Sequence, residues 1–434
     1  MNRVLITTVA AIAAAGATSA ATSIDWPSFQ GPNGNGTTAL EGANFDWSEG
    51  GPEVSWKLDI GPGYGGAAIR DGEVFLLDRE LGERDILRVM DLETGEEKWS
   101  YDYEAEGRLS FPGSRTVPAV TDKHVYIAGG FGHVHCISRD SHEPVWATHV
   151  EEVYGGVIPM FGWSSAPVIV DDLVIITALG EEVGLIAFDR MTGEEVWITE
   201  GLGFSHSTPT VLNLLGEDVV VFMSTNGQAS GQDQAAPTMI SAFRPADGSL
   251  VWRHETLLTR LPIPGPVRID DDHFFVTGGY RGGSTLVKIS KTDSKYAFED
   301  LFHVDRGAQI HIPLLYQDHL YVLVNENWNN SRNRQSEGGL MCLSLEGEEK
   351  WRTGKDPFIG RGNAVLAGDH LLIQDGFNGI LRVVKPTPEG YELVAEANVF
   401  EVDDRSDHQM WGNMALSDGR LVMRSDDALL CVKL

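Results

Sequence analysis

The stretch Ala187-Phe-Asp-Arg-Met-Thr-Gly-Glu-Glu-Val-Trp197 decides the fold. An apolar run leads into Thr192-Gly193, a pair that tolerates positive φ, and an aromatic follows four residues later; the segment reads as strand, tight turn, strand. The same text stands upstream as Val89-Met-Asp-Leu-Glu-Thr-Gly-Glu-Glu-Lys-Trp99 and downstream as Ala242-Phe-Arg-Pro-Ala-Asp-Gly-Ser-Leu-Val-Trp252. Trp56, Trp99, Trp146, Trp197 and Trp252 follow one another at 43, 47, 51 and 55 residues. Trp351 comes 99 residues later, with Phe302 as the substitute aromatic between, and Phe400 continues the series. Short strands repeating every forty to fifty residues are the signature of a propeller.

A second series marks where each unit begins: Gly65 to Ile69, Thr116 to Val120, Ser165 to Ile169, Thr208 to Val211, Gly265 to Ile269, His311 to Leu315, Asn363 to Leu366 and Asn413 to Leu416. Each is followed by an acidic polar turn, such as Thr121-Asp-Lys123, and then by an apolar strand. The unit is a four-stranded meander, A to D from the axis outward. The last copy, Asn413 to Leu434, lacks its fourth strand, and Val54 to Leu58 is a fourth strand without a unit. The expected fold is therefore all-β, an eight-bladed β-propeller of four-stranded antiparallel blades over 53–434, closed by pairing the N-terminal strand with the C-terminal one.

The pattern Ala-x-Asp-x-x-Thr-Gly-x-x-x-Trp resembles the repeat of the PQQ-like (pyrroloquinoline quinone-type) propellers, which include quinoprotein alcohol dehydrogenases and the propeller subunit of the outer-membrane barrel assembly machinery. The resemblance covers nearly all of the mature chain and is best in blades one, three, four and six. The opening Asp25-Trp-Pro-Ser-Phe-Gln-Gly-Pro-Asn-Gly-Asn-Gly36 also resembles the start of secreted members. A dehydrogenase of this kind would need PQQ with calcium, an Asp base and a stacking aromatic such as Trp163 or Trp411. No Cys-Cys pair is present to cover a quinone, and no Cys-x-x-Cys-His haem site occurs.

Residues 1–20 read as a signal peptide: Met1-Asn-Arg3 is basic, Val4 to Gly16 apolar, and Thr18 to Ala21 a small-residue cleavage site. A periplasmic or secreted location follows, with 21–52 as an N-terminal extension, no membrane span and no lipid-attachment cysteine. Sixty-three acids against 33 bases give a formal charge of −30, which disfavours nucleic acid and anionic membranes. Cys136, Cys342 and Cys431 occupy the same strand slot in three different blades, so buried packing is expected rather than pairing.

A–B and C–D turns share one face, where they are uniformly short; the other face carries the long segments Ala147 to Ser164, Arg253 to Gly265, Glu401 to Gly412, Ser224 to Pro237 and Asn325 to Gly339. Long loops on one face of a rigid scaffold are where binding sites tend to lie. The residues just before each inner strand should ring the axial mouth there: Tyr64, Arg115, Trp163, His206, Arg260, Gln309, His311, Arg361, His408 and Trp411. Arginines, histidines and aromatics on a funnel suit an anion, a sugar or an organic cofactor. Asp403, Asp404 and Asp407 lack calcium-loop spacing, and His133 with His135 lacks a third ligand, so neither group is taken as a metal site.

The expected function is a monomeric, non-catalytic scaffold that binds a small molecule, glycan or protein through its loop-rich face, with no cofactor. Two enzyme classes stay open: a PQQ-dependent dehydrogenase with calcium, and a propeller-type carbohydrate-active enzyme.

Overall fold

Residues 24–47, 50–225, 237–259, 261–280, 282–324, 338–402 and 409–434 are described by a computed structural model. The signal-peptide reading of 1–20 lies outside them. The strands form eight sheets with consecutive strands as neighbours, the meander expected from the repeat. The inner strands are Ala68–Arg70, Ala119–Val120, Val168–Val170, Thr210–Leu214, Val267–Arg268, Leu314–Tyr316, Asn363–Ala367 and Ala415–Ser417, one for each of blades 1 to 8. The ring closes in blade 8, where Glu53–Asp59 pairs antiparallel with Ala428–Lys433 and sets Trp56 opposite Cys431.

The periodic aromatics fasten each blade to the next. Trp56 of blade 8 donates its indole N–H to Leu92 O in the blade 1 outer turn (2.9 Å); Trp146 donates to Arg190 O in blade 3 (3.1 Å), Trp197 to Pro245 O in blade 4 (2.8 Å) and Trp351 to Thr387 O in blade 7 (2.8 Å). The turn that receives the indole is preset by its own side chains. The Asp189 carboxylate accepts from Met191 N, Thr192 N and Thr192 Oγ1, and Gly193 follows at φ 72°. Glycine is required there twice over, because a Cβ would also stand 2.6 Å from the Trp146 ring. In blade 2 the slot is held by His142 at φ 62°, which stacks on Trp99 at 4.4 Å and 6° instead. All eight outer strand pairs carry a bulge next to the position of the aromatic, which bends the strand as it turns toward its neighbour.

Phe302 fills the aromatic slot of blade 5 opposite Leu286, over Gly347 of blade 6. Phe400 does not fill that of blade 7. Ala395 pairs with Val383 there, and Phe400 lies past the end of Glu392–Ala397, buried beside Gly379 in the core shared by blades 7, 8 and 1. The cysteines are free and buried, facing Trp146, Trp351 and Trp56 across their sheets.

The described part of the 21–52 segment is built into the ring. Trp26 exchanges backbone hydrogen bonds with Ile69 of blade 1 (3.0 and 2.8 Å), and Pro27 O accepts from Val120 N of blade 2 (2.8 Å). Further on, Thr37–Thr38 adds a parallel strand to the inner edge of blade 7. Residues 26–38 thus cross the axial opening on the short-turn face as a strap from blades 1 and 2 to blade 7.

Candidate functional site

An axial cavity of about 530 Å³ opens where the inner strands start. Of the residues expected at the mouth, Tyr64, Arg115, His206, Gln309, Arg361 and Trp411 line it. Arg260 and His408 lie outside the described residues. Trp163 and His311 are not brought to the cavity. The Trp163 ring covers Gly132 within the core shared by blades 2 and 3, and its neighbour Ser164 reaches the cavity instead. His311 is buried and makes a 3.1 Å hydrogen bond from Nε2 to Ala364 O of blade 7. Phe29, Phe111, Phe161, Tyr280 and Gln409 also line the cavity, and the position-before-strand rule did not select them.

One wall is a stacked ladder of cations and rings. Arg361 lies over the Trp411 ring at 4.8 Å, Trp411 stacks on Tyr64 at 4.9 Å and 30°, and Arg115 lies 5.8 Å from the Tyr64 centroid. Phe111 packs against Trp411 (5.6 Å) and, edge-on, against Phe161 (5.4 Å). Such contacts hold guanidinium planes flat against rings and leave their edges to donate. Arg115 gives two of its donors to backbone carbonyls, Gly113 O and Phe111 O; Arg361 reaches Gln309 Oε1 at 3.4 Å, and Gln309 Nε2 donates to the Tyr280 hydroxyl at 3.2 Å.

Both guanidiniums are costly to bury. Burial lowers Arg115 to about 10 and lowers Arg361 as well. No carboxylate lines the cavity among the described residues; the Asp85 carboxylate, outside the lining, partly offsets the burial of Arg115. His206 is 7% exposed; its Nδ1 is 2.9 Å from Ser164 Oγ, while its Nε2 is buried without a hydrogen-bond partner. Burial first and the Arg115 charge second hold its pKa down to about 3. Trp411 Nε1 and Gln409 Oε1 are likewise buried and unpartnered. An orphaned buried polar atom costs on the order of 1–3 kcal/mol, which a ligand can return.

The mouth is held from beneath by Arg424, a residue of the blade 8 B strand that no spacing rule selected. Its guanidinium donates to Gly65 O (2.9 Å), Ser114 Oγ (3.1 Å) and Gly61 O (3.0 Å), tying down the segments that carry Tyr64 and Arg115. His133 and His135 form no metal group among the described residues: His135 Nδ1 meets the Tyr101 hydroxyl at 3.0 Å and its ring stacks on Tyr103. Asp270, Asp272 and His273 bring their ligand atoms within 4.8 Å of one another, but on a surface turn of blade 5 away from the cavity. Asp403, Asp404 and Asp407 lie outside the described residues.

A family model described as outer membrane protein assembly factor BamB matches residues 82–236 and 237–432. The chain belongs to this PQQ-like propeller family. No curated protein matches it. Among solved structures, BamB from Moraxella catarrhalis is similar at 15% identity and a TM-score of 0.58, over 88% of this chain and 97% of that one. A europium-containing methanol dehydrogenase is similar at 12% identity and a TM-score of 0.65, over 94% and 98%. Quinohemoprotein alcohol dehydrogenase from Comamonas testosteroni is similar at 12% identity and a TM-score of 0.64, over 96% and 81%. At such identities the likeness shows the fold of this PQQ-like propeller alone.

Proposed function

We propose that this protein is an extracytoplasmic ligand-binding propeller that takes a planar organic anion in its axial cavity from the loop-rich face. The reading rests on one observation: in a chain of formal charge −30, the part-buried Arg115 guanidinium and the rings of Tyr64, Phe111 and Trp411 line a cavity with no carboxylate among its described lining residues. The rings supply a flat apolar surface, Arg115 supplies the charged donors for a carboxylate, and His206 Nε2 supplies one further polar contact. The location rests on the basic, apolar and small-residue order of Met1 to Ala21.

The family includes quinone-dependent dehydrogenases. The cavity's rings and arginines suit a flat anion. Calcium prefers six to eight oxygen ligands rich in carboxylate, and only amide and hydroxyl side-chain oxygens are offered here among the described residues. No carboxylate among them is placed to act as base. The described residues do not fit a quinone–calcium pair.

Titration with naphthalene-2-carboxylate and its uncharged isostere 2-naphthamide tests the reading. The carboxylate should bind about 10–100-fold more tightly, the value of one charge-assisted contact, and Arg115→Ala should abolish the difference. Equal affinity for acid and amide defeats the proposal. Dye-linked alcohol oxidation after incubation with PQQ and calcium would replace it with the dehydrogenase.

A further inference from the structure

Among the described residues that line the cavity, Phe29 alone comes from neither a blade nor a loop between blades. It sits in the strap, and two separate cores claim it: that of blades 1 and 2, with Phe75 and Val125, and that of blades 5 and 6, with Phe275 and Leu320. These blade pairs are four steps apart in a ring of eight, so a side chain that touches both stands on the axis. The strap is anchored on both sides of it. Trp26 is 2% exposed and bonded to Ile69, and Gly36 O accepts from Leu366 N at 3.0 Å. Its tight course is built in as well. At Gly31 a Cβ would lie 2.7 Å from the Trp26 indole, and at Gly36 one would lie 2.8 Å from Leu314.

We propose that Phe29 is the floor of the axial site and its length-determining residue: the strap makes the channel a blind funnel, and the Phe29 ring fixes how long a flat anion can be when its carboxylate is held at Arg115. This rests on the ligand reading above. An elongated aromatic anion entering from the loop-rich face meets the Phe29 ring and can go no deeper. A smaller side chain opens space along the axis, and a larger one removes it.

The test is a length series of para-linked monoacids, benzoate, biphenyl-4-carboxylate and p-terphenyl-4-carboxylate, titrated calorimetrically against the full-length protein, Phe29→Ala and Phe29→Trp. The quantity read is the ratio of affinities for a longer and a shorter acid, which does not depend on the fraction of protein that folded. Phe29→Ala should raise the ratio about tenfold, the worth of burying one more ring, and Phe29→Trp should lower it. A loss of folding cannot produce shifts of opposite sign. Ratios unchanged in both variants overturn the floor and leave the ligand site standing. If no acid of the series binds the parent protein, the ligand reading falls and the floor with it.

Discussion

The perimeter of the ring and its axial mouth are made by opposite rules. At the perimeter one device recurs: an indole from one blade donates to a turn carbonyl of the next, at Trp56, Trp146, Trp197 and Trp351 with lengths of 2.8 to 3.1 Å. At the mouth no position repeats. Successive blades contribute Tyr64, Arg115, Ser164 and His206, and the floor comes from a segment outside the repeat altogether. Repetition is stable because each fastener needs only its neighbour, as in other repeat architectures. A binding cavity needs the reverse, since identical residues from every blade would give it no direction.

The comparison breaks most visibly at the closure. Trp56 is 7% exposed, faces Cys431 across the last sheet and holds the blade in which Glu53–Asp59 pairs with Ala428–Lys433. Trp56→Ala should cost about 3–5 kcal/mol in a denaturant titration, while the acid–amide discrimination of the mouth persists in whatever fraction remains folded. A loss of discrimination without a loss of stability would mean that perimeter and mouth are not separable.

A finer cut separates the two demands on the turn glycine. Gly193 and Gly216 both have positive φ, 72° and 76°, but only at Gly193 would a Cβ meet an indole; at Gly216 nothing lies within 4 Å. Gly216→Ala should cost about 1 kcal/mol of backbone strain, and Gly193→Ala about 1–3 kcal/mol more for displacing Trp146. Equal costs in chemical denaturation would show that backbone strain alone selects glycine and that the stacking is incidental.

The perimeter was legible in the sequence because its device is short and repeated. Asp, Thr, Gly and Trp at fixed offsets carry the whole contact, so eight inner strands and the closing pair could be placed from text alone. Phe400 misled because spacing counts residues and not strand register; the chain leaves the sheet at Ala397, before reaching it. The mouth was legible by position and not by direction. Adjacent side chains in extended chain point to opposite sides, so a shift of one residue put Trp163 in the core and Ser164 at the cavity. Phe29 had no signal of this kind, since the strap's role depends on contacts between segments far apart in sequence, such as Trp26 with Ile69 and Gly36 with Leu366.

Two histidines sharpen the comparison by pH, because one belongs to the packing and the other to the mouth. His311 donates to Ala364 O, its Nδ1 is buried without a partner, and burial lowers its pKa to about 4; His206 at the cavity is lowered to about 3. Each folded-state value lies below that of an unfolded histidine, near 6.5. As pH falls from about 6.5 toward 4, the unfolded chain takes up a proton that the folded one refuses, so stability drops by up to about 1.4 kcal/mol per pH unit for each histidine. Above about 7 neither contributes a slope. Burial raises the Asp85 and Asp375 carboxyls, which gives slopes of opposite sign, so the measure is the difference between variant and parent rather than the parent curve itself. His311→Gln, which removes the titrating ring and keeps a donor near Ala364 O, should flatten the acid limb by about one proton. His206→Gln should do the same in the empty protein. With saturating naphthalene-2-carboxylate the two should part: a carboxylate beside His206 favours its protonated form and shrinks its share of the slope, while that of His311, which does not line the cavity, changes less. If the ligand alters both shares equally, or neither, His206 is a packing residue like His311 and does not belong to the site.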